Sequence, residues 1–133
     1  MPQPGNAHGI VLFAHGSRDA GWRAPIEAVA ERIRQLAPGT PVACAYLEFT
    51  TPDLATAVHQ VLAEGAGTVT IWPMFLGLGR HAREDLPRLV DALRAQHPQA
   101  RFCLQAAIAE HPGVLQAMAQ AMLQAPLLRV IQP

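Results

Sequence analysis

The sequence predicts an α/β domain of three layers, with helices on both faces of a four-stranded parallel sheet and a fifth strand as an option at the C-terminal end. Three observations predict it. Short apolar runs alternate with helical patterns along the chain. The first of those runs shows no polar alternation, as expected of a strand covered on both faces. The 133 residues fit one domain and leave little room for a second.

Each element has its own signal. The first eight residues read as a flexible N-terminus that includes His8, and the domain proper spans 9–124. Ile10 to Ala14 is the first strand. A helix follows with Ile26, Val29, Ile33 and Leu36 on one face, stopped by Pro38-Gly39. Pro41 to Leu47 gives a second strand. Thr51 is suited to cap the next helix, with Pro52 at its first position and Asp53 in its first turn. Leu54, Val58, Val61 and Leu62 form that helix's face, and Thr68 to Trp72 is a β-branched third strand. Pro87 fits only the first turn of a helix, so the third helix is expected to start near Asp85. Arg101 to Leu104 is a fourth strand, and Pro112 opens a last helix with Leu115, Met118 and Met122 turned inward. Residues 125–133 read as a tail or an edge strand. Right-handed crossovers then give the three layers, without fixing the strand order.

Composition narrows the function classes. Ten acidic and ten basic residues balance, so charge gives no argument for a nucleic acid or a membrane partner. All the basic residues are Arg, a fork suited to gripping carboxylates in pairs, although a coding bias toward GC explains the same excess. Cys44 and Cys103 lie far apart with no metal-ligand spacing and read as small core residues of a reducing compartment. The N-terminus does not resemble a signal peptide, and no apolar run approaches the ~20 residues that cross a bilayer. A cytoplasmic protein is expected.

In open parallel sheets ligands bind beyond the carboxyl ends of the strands. His15-Gly16-Ser17-Arg18 follows the first strand, Glu48 the second, Gly77-Leu78-Gly79-Arg80-His81 the third, and Glu110-His111 the fourth. His15, Glu48 and His81 on one rim could hold a borderline divalent ion such as Co²⁺, Fe²⁺ or Ni²⁺. The same imidazoles could take protons near neutral pH. A structural hydrogen bond is the bland alternative for each His, and an Arg pair for Glu48. His111 reads mainly as a residue that starts the last helix. Gly77-x-Gly79-x-x-Ala82 matches the dinucleotide fingerprint formally, but at the third junction and without the acid that would hold a ribose.

Two of these stretches carry a family resemblance. Val11-Leu12-Phe13-Ala14-His15-Gly16-Ser17-Arg18 resembles the opening motif of the small sirohydrochlorin chelatases of the CbiX/SirB type. Pro73 to His81, continuing through Asp85-Leu86-Pro87, resembles their second motif, and Glu110-His111-Pro112 fits as well. The resemblance spans roughly residues 9–124. It implies a chelatase-like fold of one lobe and insertion of Co²⁺ or Fe²⁺, with Ni²⁺ a further option, into sirohydrochlorin on the way to cobalamin or sirohaem. It maps the two family histidines to His15 and His81, as metal ligands and proton acceptors, and Glu48 more loosely to an acidic position. Ser17, Arg18, Gly79, Arg80 and Arg83 would then meet the carboxylate-rich macrocycle. The metal is substrate, and no organic cofactor is implied. Larger chelatases enclose the macrocycle between two lobes, so a homodimer is the natural inference here. The alternatives are a non-catalytic tetrapyrrole or metal carrier, a half-enzyme that needs a different partner lobe, and a phosphate-binding domain using Gly16-Ser17.

Overall fold

Every apolar run expected as a strand forms one in the computed structural model, which describes residues 7–124. β1 (Ala7–Ala14), β2 (Val42–Tyr46), β3 (Ala66–Pro73) and β4 (Arg101–Leu104) alternate with α1 (Ala24–Leu36), α2 (Leu54–Ala63), α3 (Arg80–Gln96) and α4 (Pro112–Gln124). Short 3-10 turns, Ala20–Arg23 and Ile108–Glu110, precede α1 and α4. All strand pairs are parallel, in the order β2-β1-β3-β4. The proposed edge strand or tail at 125–133 lies outside the described residues.

The strand order follows from where the chain turns back. It leaves β1 on one side to make β2, then crosses back to place β3 on β1's other side. Right-handed crossovers in opposite directions put α1 on one face of the sheet and α2 on the other. Val11, Phe13, Ala45, Val69 and Ile71 accordingly pack under Val58, Val61, Leu86, Val90 and Leu93 of α2 and α3. Leu12 and Val42 pack on the opposite face under Ala30, with Ile26, Ile33 and Trp72 around them. The reversal falls between β1 and β3, and the carboxyl ends at such a point are the place where such sheets receive ligands.

Several boundaries differ from expectation, each for a local reason. β1 starts at Ala7, so His8 is not in a loose segment: its Nε2 bonds the Oγ1 of Thr70 on β3. The inner face of α1 runs Ile26-Ala30-Ile33, whereas Val29 and Leu36 are exposed. Pro52 is not helical. Its carbonyl accepts a bond from the Tyr46 amide (2.9 Å), the Thr51–Pro52 peptide is cis, and Asp53 caps α2 by accepting from the Thr56 amide (2.9 Å). α3 begins at Arg80, well before Asp85, with Gly79 extended as its cap. Pro87 therefore sits inside the helix, where it costs the backbone bond that would reach the Arg83 carbonyl. The face expected to bury α4 does not do so: no α4 residue is buried, and Leu115, Met122 and Leu123 are exposed. Cys103 is exposed too and is not the core residue it resembled, whereas Cys44 is half-buried and packs on the smaller core.

The two outer strands are met by arginines from the preceding helices. Arg34 of α1 donates to the Val42 carbonyl (3.2 Å) and to Glu31 (3.4 Å). Arg94 of α3 does the same to the Phe102 carbonyl (3.1 Å) and to Asp91 (2.8 Å).

Candidate active site

His15 is the first residue past β1, on the central part of the rim. Directly beside it the chain emerging from β2 runs alongside: the Leu47 amide donates to the Ala14 carbonyl (2.9 Å) and the Glu48 amide to the His15 carbonyl (3.0 Å). Gly16 makes that closeness feasible. Its φ is +99°, and a Cβ there would fall 1.7 Å from the Glu48 carbonyl oxygen. Thr50 completes the tie, its hydroxyl accepting from the Ser17 amide (3.1 Å) and donating to the Ser17 carbonyl (2.9 Å). Between them Phe49 takes a left-handed φ of 64°, and the Arg18 guanidinium lies 4.6 Å from its ring centre. His15 and Glu48 are thus neighbours fixed by backbone bonds, as the strand order requires.

On its other flank His15 meets Phe75, with ring centres 4.4 Å apart and planes 48° from parallel. Phe75 follows β3, anchored where the Met74 amide donates to the Phe13 carbonyl (2.7 Å), and it packs on the larger core. Beyond it the loop passes Gly77 and Leu78 to Gly79. His81 then falls in the first turn of α3, exposed, and not in a loop as a later helix start would have it. Arg80 pairs loosely with Glu84 (3.6 Å), and both are exposed. Arg88 pairs with Asp85 and Arg94 with Asp91 on the exposed side of α3. Among the described residues, Arg18, Arg83 and Glu48 make no ion pair.

The rim holds the expected groups without closing them on one point. Among the described residues, no three His, Cys, Asp or Glu side chains stand close enough to bind one metal ion together. His15, Glu48 and His81 lie at the same edge of the sheet, past the carboxyl ends of β1, β2 and β3. Neither His15 nor His81 has a side-chain hydrogen bond among the described residues, so their nitrogens are free for a metal or a proton. His111 is different. Its Nδ1 accepts the Gly113 amide at the start of α4 (3.0 Å), which leaves the proton on Nε2 and makes His111 a helix-starting residue and a donor.

The backbone of the loop after β1 does not form a phosphate cradle at Gly16-Ser17. The Ser17 amide is taken by Thr50, the Ser17 hydroxyl accepts from the Asp19 amide (3.0 Å), and the Asp19 carboxylate lies beside it on the Gly21 amide (2.9 Å). A phosphate at Gly16-Ser17 would face that carboxylate with no free loop amide from Ser17. Residues that sequence reasoning left without a role, Thr50 and Phe75, fix the geometry around His15. Phe75 lay inside the second motif. Thr50 carried no signal, because its partner is 33 residues away. No described helix is long and apolar enough to cross a membrane.

With this geometry in hand, comparison with known proteins is informative. The sequence family CbiX matches residues 9–125. A sirohydrochlorin cobaltochelatase of Methanococcus aeolicus is 31% identical over 87 residues, covering 65% of this chain and 61% of its own. The corresponding enzyme of Saccharolobus solfataricus is 33% identical over 82 residues, covering 62% of each chain. The match thus spans about three fifths of these curated relatives. Among solved structures, a CbiX protein of cobalamin biosynthesis from Marinobacter aquaeolei VT8, so described by its crystallographers, superposes with a TM-score of 0.77. It is 33% identical, with 90% of this chain and 97% of that one covered. The sirohydrochlorin chelatase SirB from Bacillus subtilis subspecies spizizenii, solved with cobalt, shares the fold at a TM-score of 0.74 and 21% identity. There 89% of this chain covers 50% of the other.

Proposed function

The chain belongs to the CbiX family, and from that premise we propose that it is a sirohydrochlorin metal chelatase, inserting Co²⁺ or Fe²⁺, with Ni²⁺ a further candidate, in cobalamin or sirohaem synthesis. The observation that carries this reading is the rim itself. Backbone bonds hold His15 and Glu48 side by side past the ends of central β1 and its edge neighbour β2, and His81 lies in the first turn of the helix that follows β3.

The reaction sets the demands on these residues. The free macrocycle gives up two N–H protons, and the ion sheds water as it enters the ring. The overall change is one divalent ion in and two protons out, so it needs no organic cofactor and no redox partner. A neutral imidazole nitrogen can bind the ion or accept a proton, and not both at once. The division of labour proposed is that one of His15 and His81 presents the ion while the other, or Glu48, takes protons. An open rim suits this task, since an ion held by a closed set of ligands would not leave for the ring. Arg18, Arg80 and Arg83, with Ser17 and Gly79, would meet the carboxylates of the macrocycle edge. Arg18 and Arg83 have no competing ion pair among the described residues, and Arg80 has only an exposed one, of the kind worth little.

The domain is read as one chelatase-like lobe over 9–124, working as a homodimer in the cytoplasm, with no nucleic acid or membrane partner. Support for a second lobe comes from SirB, whose chain is twice as long as the part this chain covers. Support for a reducing compartment comes from Cys44 and Cys103, both free thiols.

The test is anaerobic absorbance spectroscopy of sirohydrochlorin with the purified protein, offered Co²⁺, Fe²⁺ and Ni²⁺ in turn. A no-enzyme control and a His15→Ala control accompany each ion. A wild-type rate well above both is expected, with His15→Ala down by about 10²-fold or more. Rates equal to the controls, with only a spectral shift on mixing, would make the protein a tetrapyrrole carrier or a half-enzyme that needs another lobe.

A further inference from the structure

His15 is exposed and has no side-chain hydrogen bond among the described residues, yet a ligand or base must hold one orientation to be useful. Metal-binding histidines are commonly oriented by a bond from the ring nitrogen that does not face the ion. That device is missing here. What His15 has instead is Phe75, whose ring centre lies 4.4 Å from its own at a 48° tilt. Phe75 is itself held, half-buried against the larger core, at the end of a strand paired to β1 through the bond from Met74 to Phe13.

We infer that Phe75 is the positioning residue of His15, restraining the imidazole by an aromatic face and leaving both of its nitrogens free. The chemical consequence is specific. A hydrogen bond would fix the ring by occupying one nitrogen and would thereby choose its tautomer. A ring packed against it at a tilt restricts rotation about the side-chain bonds without that choice. One nitrogen can then meet the ion while the other exchanges its proton with solvent. This inference rests on the reading of His15 as a metal-handling residue of the rim.

The experiment is a double-mutant cycle on Co²⁺ binding by the full chain, with wild type, Phe75→Leu, His15→Ala and the double variant, and with Phe75→Tyr as the conservative replacement. Leu keeps an apolar side chain against the core but has no flat face. Phe75→Leu is expected to weaken Co²⁺ binding by about 10-fold, within the ~10–100-fold range for residues that orient a ligand. In the His15→Ala background the same change should have no further effect, and Phe75→Tyr should restore binding. Proton NMR at fixed pH supplies a readout that needs no metal: the His15 ring protons should be displaced by the Phe75 ring current and return to ordinary positions in Phe75→Leu. An equal loss of affinity with and without His15, or an undisplaced His15 signal in the wild type, would overturn the inference. The two readings fail separately. Coupling between Phe75 and His15 without metallation of sirohydrochlorin would sink the proposed function alone. Metallation without coupling would sink the role of Phe75 alone.

Discussion

At Gly16 the absence of a single carbon decides whether two loops can meet. Its φ of +99° and the 1.7 Å gap that a Cβ would leave to the Glu48 carbonyl mean that no side chain fits without moving the backbone. Gly16→Ala is therefore expected to destabilise the fold by at least ~1 kcal/mol and to separate Glu48 from His15. Thermal unfolding checks the first effect and Co²⁺ titration the second. Unchanged values for both would show that the loops are not mutually dependent. His15 was legible from the sequence because it ends an apolar run and precedes a glycine, and Glu48 because it ends the next. Phe75 and Thr50 were not legible as partners of these residues. Their contacts cross 60 and 33 positions of chain, and no local pattern announces them.

The first three helices were legible at their centres and Pro112 does open α4, but the starts of α2 and α3 were misjudged. For α2, the sequence offered Thr51 as the cap, with Pro52 at the first helical position, whereas Asp53 caps the helix. The cap falls there because the Pro52 carbonyl is engaged with Tyr46 of β2, a long-range bond. For α3, the rule that keeps proline in the first turn was overruled, and the helix runs through Pro87 with one backbone bond lost. The cap on α2 gives a prediction at this scale. The hydrogen bond from Thr56 holds the Asp53 carboxyl below its ordinary value. A depressed acid stabilises the folded state above its ordinary value near 3.8, and that contribution disappears as pH falls through the lower folded value. Asp53→Ala should cost about 1 kcal/mol at neutral pH. Wild type and variant should converge in acid, and denaturant unfolding at pH 7 and near pH 2 measures both. A cost that persists undiminished in acid would assign it to packing and not to the charged cap.

For the whole molecule, parallel layering was readable from alternation alone, but the order of strands was not, since each pairing joins segments far apart in sequence. Nor did periodicity reveal that α4, amphipathic by pattern, has nothing to bury against among the described residues. Its exposed Leu115, Met122 and Leu123 form an apolar face on a chain half the length of SirB. If a second copy supplies the missing lobe and this face takes part, size-exclusion chromatography with light scattering should report twice the chain mass. Leu115→Glu with Met122→Glu should then shift it to one chain and lower the metallation rate together. A monomeric wild type with full activity would remove the need for a second lobe.

Arg34 and Arg94 bear on how such copies can associate at all. A small parallel sheet ends in two ribbons of unpaired amides and carbonyls, and either could recruit the next molecule, strand by strand, into an endless stack. Here each ribbon is interrupted by a guanidinium that holds a carboxylate with one nitrogen and a strand carbonyl with another. The planar guanidinium fixes the two bonds in set directions, which the compact, flexible ammonium of a lysine would not. One carbonyl on each edge is thereby taken, which works against strand-by-strand growth and leaves the helical sides as the surfaces on which a pair of copies, if it forms, could close on itself and stop.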